Sequence, residues 1–372
     1  MPPARPPRLG MVAHPVLTTL AGLLLLFVAS GCSGFATKRP ALRLLAWVGY
    51  DEPDFIEPLE RAVGAQIEVK TYVGGDQMYS LFHDAPPGTY DAVIVDAEYG
   101  KRLYEEGALD TLPRSTWFHK DLLTPFQAAG PASVGGSVYA AVLRWGALGL
   151  VYNENRLTQS DVDSYSILWN PRMRGHVGIF DWYLPNMAVL SRALGFNPPF
   201  DLSKQQLGTL ADRLNALRGQ VRAIQPSTGE VINDLRTGET WVVPGVGEWA
   251  SAVLAEEGAP ITWTVPREGG VMWIEAVGVP KTATHKELSA ALIQHLQDPG
   301  NLARLAWRKA YHSQVSRLGA YDSLPNAHRA LLKAMNLGTL DSLATSLTTR
   351  RLPAGPTNER DWLNAWTAFK AR

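Results

Sequence analysis

The chain has 372 residues and 46% hydrophobic content, enough for two domains with real cores. Its 35 basic and 35 acidic residues cancel, which argues against a nucleic-acid-binding surface. Twelve tryptophans are many for this length, and a ligand site lined by aromatic rings is one use for them.

The first feature in chain order is a leader. Arg5 and Arg8 precede an apolar run of 15 residues, VLTTLAGLLLLFVAS, from Val16 to Ser30. The run is short for a membrane span and reads as a signal peptide over residues 1–31. It ends in ASGC, and small residues before a cysteine resemble the lipobox of bacterial lipoproteins. That resemblance implies lipidation of Cys32, which would become the first mature residue. Cys32 is the only cysteine, so an anchor explains it better than redox chemistry. An uncleaved membrane anchor is the alternative. Loss of Arg5 and Arg8 leaves 33 basic against 35 acidic residues. Ser33 after the cysteine resembles outer-membrane sorting in Gram-negative cells. Residues 34–40, GFATKRP, read as a linker, so 32–41 is a lipidated tether. The expectation is a soluble body anchored by lipid to a bacterial membrane, in the periplasm or at the cell surface.

From Leu42 strands and helices alternate. LRLLAW is strand-like, and FIEPLERAVG is a helix stopped by Gly64. QIEVKTYV, DQMYSLFH, YDAVIVD and YGKRLYEEG continue as strand, helix, strand and helix. Such alternation indicates a parallel α/β sheet, which binds ligands beyond the carboxyl ends of its strands. A second set begins near Trp145: HVGIFD (strand), NMAVLSRALGF and QQLGTLADRLNALRG (helices), VRAIQP (strand), EVINDLRTG (helix), TWVVP (strand) and WASAVLAEEG (helix). ITWTVP and GGVMWIEAVGVP follow as strands. The rest is helical: HKELSAALIQHLQDP, NLARLAWRKAY, AHRALLKAM and ERDWLNAWTAFKAR. There is no internal repeat and no low-complexity tract.

Several positions carry chemistry. Trp47 and Tyr50 follow the first strand, either as aromatics at a cleft edge or as a hydrophobic staple for the next helix. Asp96 and Glu98 follow the third strand, either binding a cation or capping the helix that comes next. Gly245, Gly247 and Ala250 have the G-x-G-x-x-A spacing of a dinucleotide site, but no acid ends a following strand about 20 residues on. The dinucleotide reading is rejected, and the turn keeps backbone N–H groups suited to an anion. Trp273 and Glu275 lie two apart on a strand and share a face, so an indole and a carboxylate point the same way. Trp307 and Tyr311 are four apart, on one face if the segment is helical. The histidines are scattered without metal-ligand spacing, and no nucleophile elbow or phosphate loop is present. No metal or other cofactor is expected.

The order of LLAWVGYDEPDFIEPLERAVGAQIEVKTYVGGDQMYSLF, GTYDAVIVDAEYGKRLYEEGALDTL, RWGALGLVYN, LWNPRMRGHVGIFD, VPREGGVMWIEAVGVP and NLARLAWRKAYHS resembles the periplasmic spermidine/putrescine-binding proteins over about residues 42–320. The resemblance implies a two-lobed α/β binding protein of type II that closes on its ligand at a hinge and serves an ABC importer. It divides the body into 42–144 with 274–319, and 145–273 with 320–372. In that family aromatics sandwich a polyamine and acids hold its ammonium ends. By motif, Trp47 and Tyr50 resemble the aromatic pair after the first strand, Trp273 a cleft Trp, Glu275 an amine-holding Asp, and Tyr311 a cleft Tyr. The chain also departs from the pattern. Trp182 and Pro185 stand where the family has ligand-binding acids, with Asp181 just before. Val246 and Gly247 replace a Trp stretch, with Trp249 close by. Asp96 and Glu98 replace a Ser and a Tyr, and are candidates for the second ammonium clamp.

The expected function is capture of a small cationic, polyamine-like amine by a monomer and its delivery to an ABC permease. The alternatives are the same fold binding a quaternary ammonium, an amino acid or another solute, and the same fold acting as a sensor. A secreted hydrolase ranks last, because no nucleophile motif supports it.

Overall fold

The structure is a computed structural model that describes residues 39–127, 130–308, 311–332 and 339–371. The signal peptide and Cys32 lie outside the described residues, and so does most of the linker. Residues from Arg39 onward form one compact unit. Among the described residues no helix is long and apolar enough to cross a membrane.

The first three strand–helix pairs are β1 (Ala41–Trp47), α1 (Pro53–Val63), β2 (Gln66–Tyr72), α2 (Gly75–Asp84), β3 (Ala92–Asp96) and α3 (Ala97–Glu105). Pro53 opens α1 and Gly64 closes it with φ 73°, the left-handed cap that glycine adopts without strain. β1 pairs with β2 and β3 in parallel, with Trp47 opposite Tyr72. Leu42 and Leu44 feed one apolar cluster and Leu45 the other, as expected of a strand covered on both faces.

Two short helices, α4 (Arg114–Trp117) and α5 (Thr124–Gln127), and a small hairpin, β4 (Ser133–Val134) and β5 (Ser137–Val138), lead into β6 (Ala140–Asn153). The second half contains β7 (Val177–Phe180), α6 (Tyr183–Ala193), α7 (Lys204–Leu217), β8 (Val221–Gln225), α8 (Thr228–Thr237), β9 (Val242–Val246), α9 (Glu248–Glu256) and β10 (Ile261–Thr264). Strand β11 (Val271–Gly278) returns to the first half, followed by α10 (Lys286–Leu296), α11 (Pro299–Ala306) and β12 (Gln314–Val315). The tail holds α12 (Leu318–Ser323), α13 (Asn326–Leu332), α14 (Leu340–Ser346), β13 (Thr348–Thr349) and α15 (Glu359–Lys370).

Along the sheet the strands run β2-β1-β3-β11-β6-β9-β7-β8. The sheet is mixed, not wholly parallel: β11 runs antiparallel to both β3 and β6. β6 is the element that periodicity failed to show. All 14 of its residues are buried, so its run AAVLRWGALGLVYN carries no alternation. Its first part pairs with β11, and from Gly149 it pairs with β9 while β10 covers its other edge. Two α/β halves joined by long strands in this order make the two-lobed α/β binding fold of type II.

The tail touches both halves. The Thr124 amide and hydroxyl at the start of α5 donate to Asp341 on α14 at 2.7 and 2.9 Å. α15 begins with a capping box of Asn358 and Asp361 and binds the other half. There Trp366 and Lys370 reach Asp181 at 2.9 and 2.8 Å. The helix expected over 301–311 stops at Ala306, so Trp307 and Tyr311 do not share a helix face. Trp307 instead stacks between His312 and His328, at 3.8 and 3.7 Å between ring centroids.

The change of partners on β6 depends on a glycine. A Cβ on Gly149 would lie 2.2 Å from the Thr264 carbonyl oxygen, while one on Gly208, exposed on α7, would meet nothing within 4 Å. Urea unfolding should therefore show Gly149→Ala destabilised by about 1–3 kcal/mol. Gly208→Ala should be stabilised by about 1 kcal/mol, the helix-propensity difference.

Candidate functional site

Glu275 sits in the middle of β11, opposite Asp96 of β3 on one side and Arg144 of β6 on the other. Its carboxylate is almost fully buried and fully used. Oε2 accepts from Arg144 Nε and from the Tyr50 hydroxyl, both at 2.7 Å. Oε1 accepts from the Tyr311 hydroxyl at 2.6 Å and from Arg144 Nη2 at 3.4 Å. Arg144 also donates to the Leu305 carbonyl at 3.3 Å and to Tyr311. Its guanidinium lies 4.2 Å from the Tyr311 ring centre and 5.1 Å from that of Tyr50. Burial pushes both phenols well above their ordinary range, with Arg144 pulling the other way and Glu275 reinforcing the shift. Burial alone would weaken the Arg144 charge, but Glu275 and the two tyrosines overcome it and hold the guanidinium above its ordinary value. Trp273 does share the face of Glu275: its ring stands 6.4 Å from Tyr311, edge to face.

Asp96 and Glu98 form a second centre. Asp96 occupies the position before α3, yet neither acid caps the helix with its side chain. Both face Arg350, just after β13. Arg350 Nη2 is 2.8 Å from Asp96 and Nε is 2.6 Å from Glu98, with all three side chains buried. One guanidinium is thus shared between two buried carboxyls. Burial pushes Asp96 well above the usual carboxylate range, against the pull of Arg350 and with help from Glu98 and Glu275. Glu98 is raised too, by burial against the same guanidinium.

Aromatic rings connect the two halves here. The Arg350 guanidinium lies 4.6 Å from the Trp182 ring centre. Trp182 stands 6.2 Å from Trp47 and 6.1 Å from Phe180, and Phe180 is 6.1 Å from Trp249. Trp47 and Trp182 are both partly exposed. The eight residues singled out from the sequence thus fall into one connected neighbourhood.

The sequence reading missed three charged members. Arg144 had a signal, a lone charge within the apolar run of β6. Glu248 stood in GVGEWA beside the glycines that drew attention, and Arg350, in TTRRLP, had none. Glu248 is fully buried. Its Oε2 accepts from the Ala147 amide at 3.0 Å and its Oε1 has no hydrogen-bond partner. A Cβ on Gly146 would lie 2.0 Å from that oxygen and 2.4 Å from the Trp273 indole nitrogen, so Gly146 makes room for both. Desolvation raises the Glu248 pKa to about 8. The glycines at 245 and 247 serve close packing: a Cβ on Gly247 would lie 1.8 Å from the Ala147 carbonyl oxygen, and one on Gly245 would lie 3.2 Å from the Asn186 amide. Asp181, next to Trp182, is engaged by the tail helix. Among the described residues no group of His, Cys, Asp and Glu is arranged to hold a metal ion.

The family model described as bacterial extracellular solute-binding protein matches residues 54–317. The spermidine/putrescine-binding periplasmic protein of Escherichia coli K12 is 23% identical over 267 residues, 71% of this chain and 74% of that protein. Among solved structures, a putative spermidine/putrescine ABC transporter protein from Listeria monocytogenes superposes with a TM-score of 0.74 at 19% identity, over 89% of this chain and 98% of that one. A lipoprotein of Treponema pallidum superposes with a TM-score of 0.70 at 16% identity, over 89% and 100%.

Two outcomes follow from the buried charges. Glu275→Gln leaves Arg144 buried without its counter-ion, and denaturant unfolding should show a loss of about 3–5 kcal/mol. The double variant with Arg144→Met should recover part of it. Glu248 is held neutral in the folded chain, whereas in the unfolded chain it ionises near 4.3. The unfolded state therefore binds fewer protons between those values, and stability falls as pH rises. The fall should approach 1.4 kcal/mol per pH unit and level off above pH of about 8. Glu248→Gln should remove that slope in unfolding measured from pH 5 to 9, and an unchanged slope would assign it to other groups.

Proposed function

The chain belongs to the bacterial extracellular solute-binding proteins, and from that premise we propose that it captures a small cationic amine between its lobes and passes it to the permease of an ABC importer. The charge balance of the cleft carries the cationic reading. Asp96, Glu98 and Glu275 face Arg144 and Arg350, three carboxylates against two guanidiniums. The carboxyl without a guanidinium of its own lies at Asp96 and Glu98, with Trp182 near it; burial raises both acids toward the neutral form, and a bound cation would favour their ionisation. A cation over such a ring gains about 0.5–2 kcal/mol, and a carboxylate adds a charge-assisted hydrogen bond.

In this reading Trp47, Trp182 and Trp273 offer ring faces and Asp96 and Glu98 supply the attracting charge. Glu275, Tyr50 and Tyr311 act through Arg144, which they hold. The relatives' spermidine- and putrescine-binding names support an amine. A second reading has its own support. Guanidiniums already stand against the acids, which favours a solute with one cationic group, such as a quaternary ammonium or an amino acid, over a long polyamine. The lobes would be 42–144 with 274–319 and 145–273 with 320–372, hinged on β6 and β11. Cys32 would carry the lipid that tethers a monomeric body at the periplasmic or cell surface.

Thermal shifts of the purified protein against polyamines, betaines, amino acids and sugars test this, because a ligand of the folded state raises its melting temperature. Amines or ammonium compounds should shift the midpoint, and less so at high salt. A shift with sugars alone would overturn the cationic reading.

A further inference from the structure

We infer that Arg350 is a tethered cation that fills one ammonium position of the cleft and so determines which solutes the cleft admits. The inference rests on the amine-binding reading above. Strand β13 lies parallel to β11, with Val271 opposite Thr348 and Met272 opposite Thr349. The Arg350 amide then donates to the Met272 carbonyl at 2.7 Å, which fixes where its side chain starts. The guanidinium ends against Asp96, Glu98 and the face of Trp182. Two buried carboxylates and an indole face are what an organic ammonium needs.

The fit of Arg350 differs from that of Arg144. Arg144 makes directed hydrogen bonds to Glu275, Tyr311 and the Leu305 carbonyl. Arg350 instead divides its guanidinium between two carboxyls, Nη2 at 2.8 Å from Asp96 and Nε at 2.6 Å from Glu98. Arg144 is matched to one carboxylate and Arg350 is shared by two, and that difference marks the Arg350 position as a cation position lined for more positive charge than one side chain brings. One positive charge also faces two negative ones, with Glu275 and Tyr99 as further neighbours. A solute with a second ammonium group must displace Arg350 or leave its own charge unmatched. The unaltered protein therefore favours solutes with a single cationic group over diamines.

Calorimetric titration of the full chain with putrescine, and separately with ethylguanidinium, tests this. Arg350→Ala vacates the position and should bind each at least ten-fold more tightly than the unaltered protein. Equal or weaker binding overturns the inference. Should R350A not fold unaided, putrescine or ethylguanidinium must restore its native circular-dichroism spectrum where equal sodium chloride does not. Arg350→Lys must fold without additive, and failure of both cations to recover R350A overturns the inference. Putrescine binding equally tightly to both proteins sinks the inference and leaves the amine-binding reading standing. A gain confined to R350A supports the inference, whereas no thermal shift of the unaltered protein with any amine or ammonium compound sinks the amine-binding reading and the inference with it.

Discussion

A carboxylate in the middle of a covered sheet is the constraint on which this structure depends. Glu275 is surrounded by strands and has lost its water. Removing an ion of that size from water costs several kcal/mol even after relaxation, and the cost is met only by a partner of opposite charge with its remaining lone pairs satisfied. Arg144 supplies the charge from the neighbouring strand, and Tyr50 and Tyr311 fill the rest. These four groups come from β6, β11, the turn after β1 and the segment after α11. The network thus ties together the register of β6 on β11, the approach of the first turn and the early stop of α11.

Asp96 and Glu98 obey the same rule less completely. Their counter-ion arrives from the tail, far along the chain, and is shared between them. Burial pushes both acids upward, and the one guanidinium they share pulls them down only in part. A matched pair and a trio that shares one guanidinium thus lie close to each other on adjoining strands. Trp47 and Trp182 meet above this charge from opposite halves, and they join the halves through ring contact. Glu248 adds a third kind of buried acid, kept neutral rather than paired.

Much of the fold could be read from local pattern. The alternation of β1 to α3 has clear stops at Gly64 and Gly107, and the structure keeps those elements within a few residues. β6 could not be read that way, because a strand buried on both faces has no period to detect. Tyr311 shows the opposite error: spacing of four suggested a helix face, but the chain leaves the helix after Ala306, and Trp307 goes to the histidines. At the site, Trp273 and Glu275 were legible together because strand spacing alone puts them on one face. Arg144 left a trace as an isolated charge in an apolar run.

The sequence by itself determined the α/β class, the short-range order of strands and helices, and that Trp47, Tyr50, Asp96 and Glu98 stand at strand ends. These follow from periodicity and neighbour spacing, which act over a few residues. Only the tertiary structure decided which charges face each other. Glu275 and Arg144 are 131 positions apart, and Arg350 meets Asp96 across a still longer separation. Coulomb attraction and desolvation act through space, so their partners are set by strand order and by where the tail returns, neither of which local pattern records.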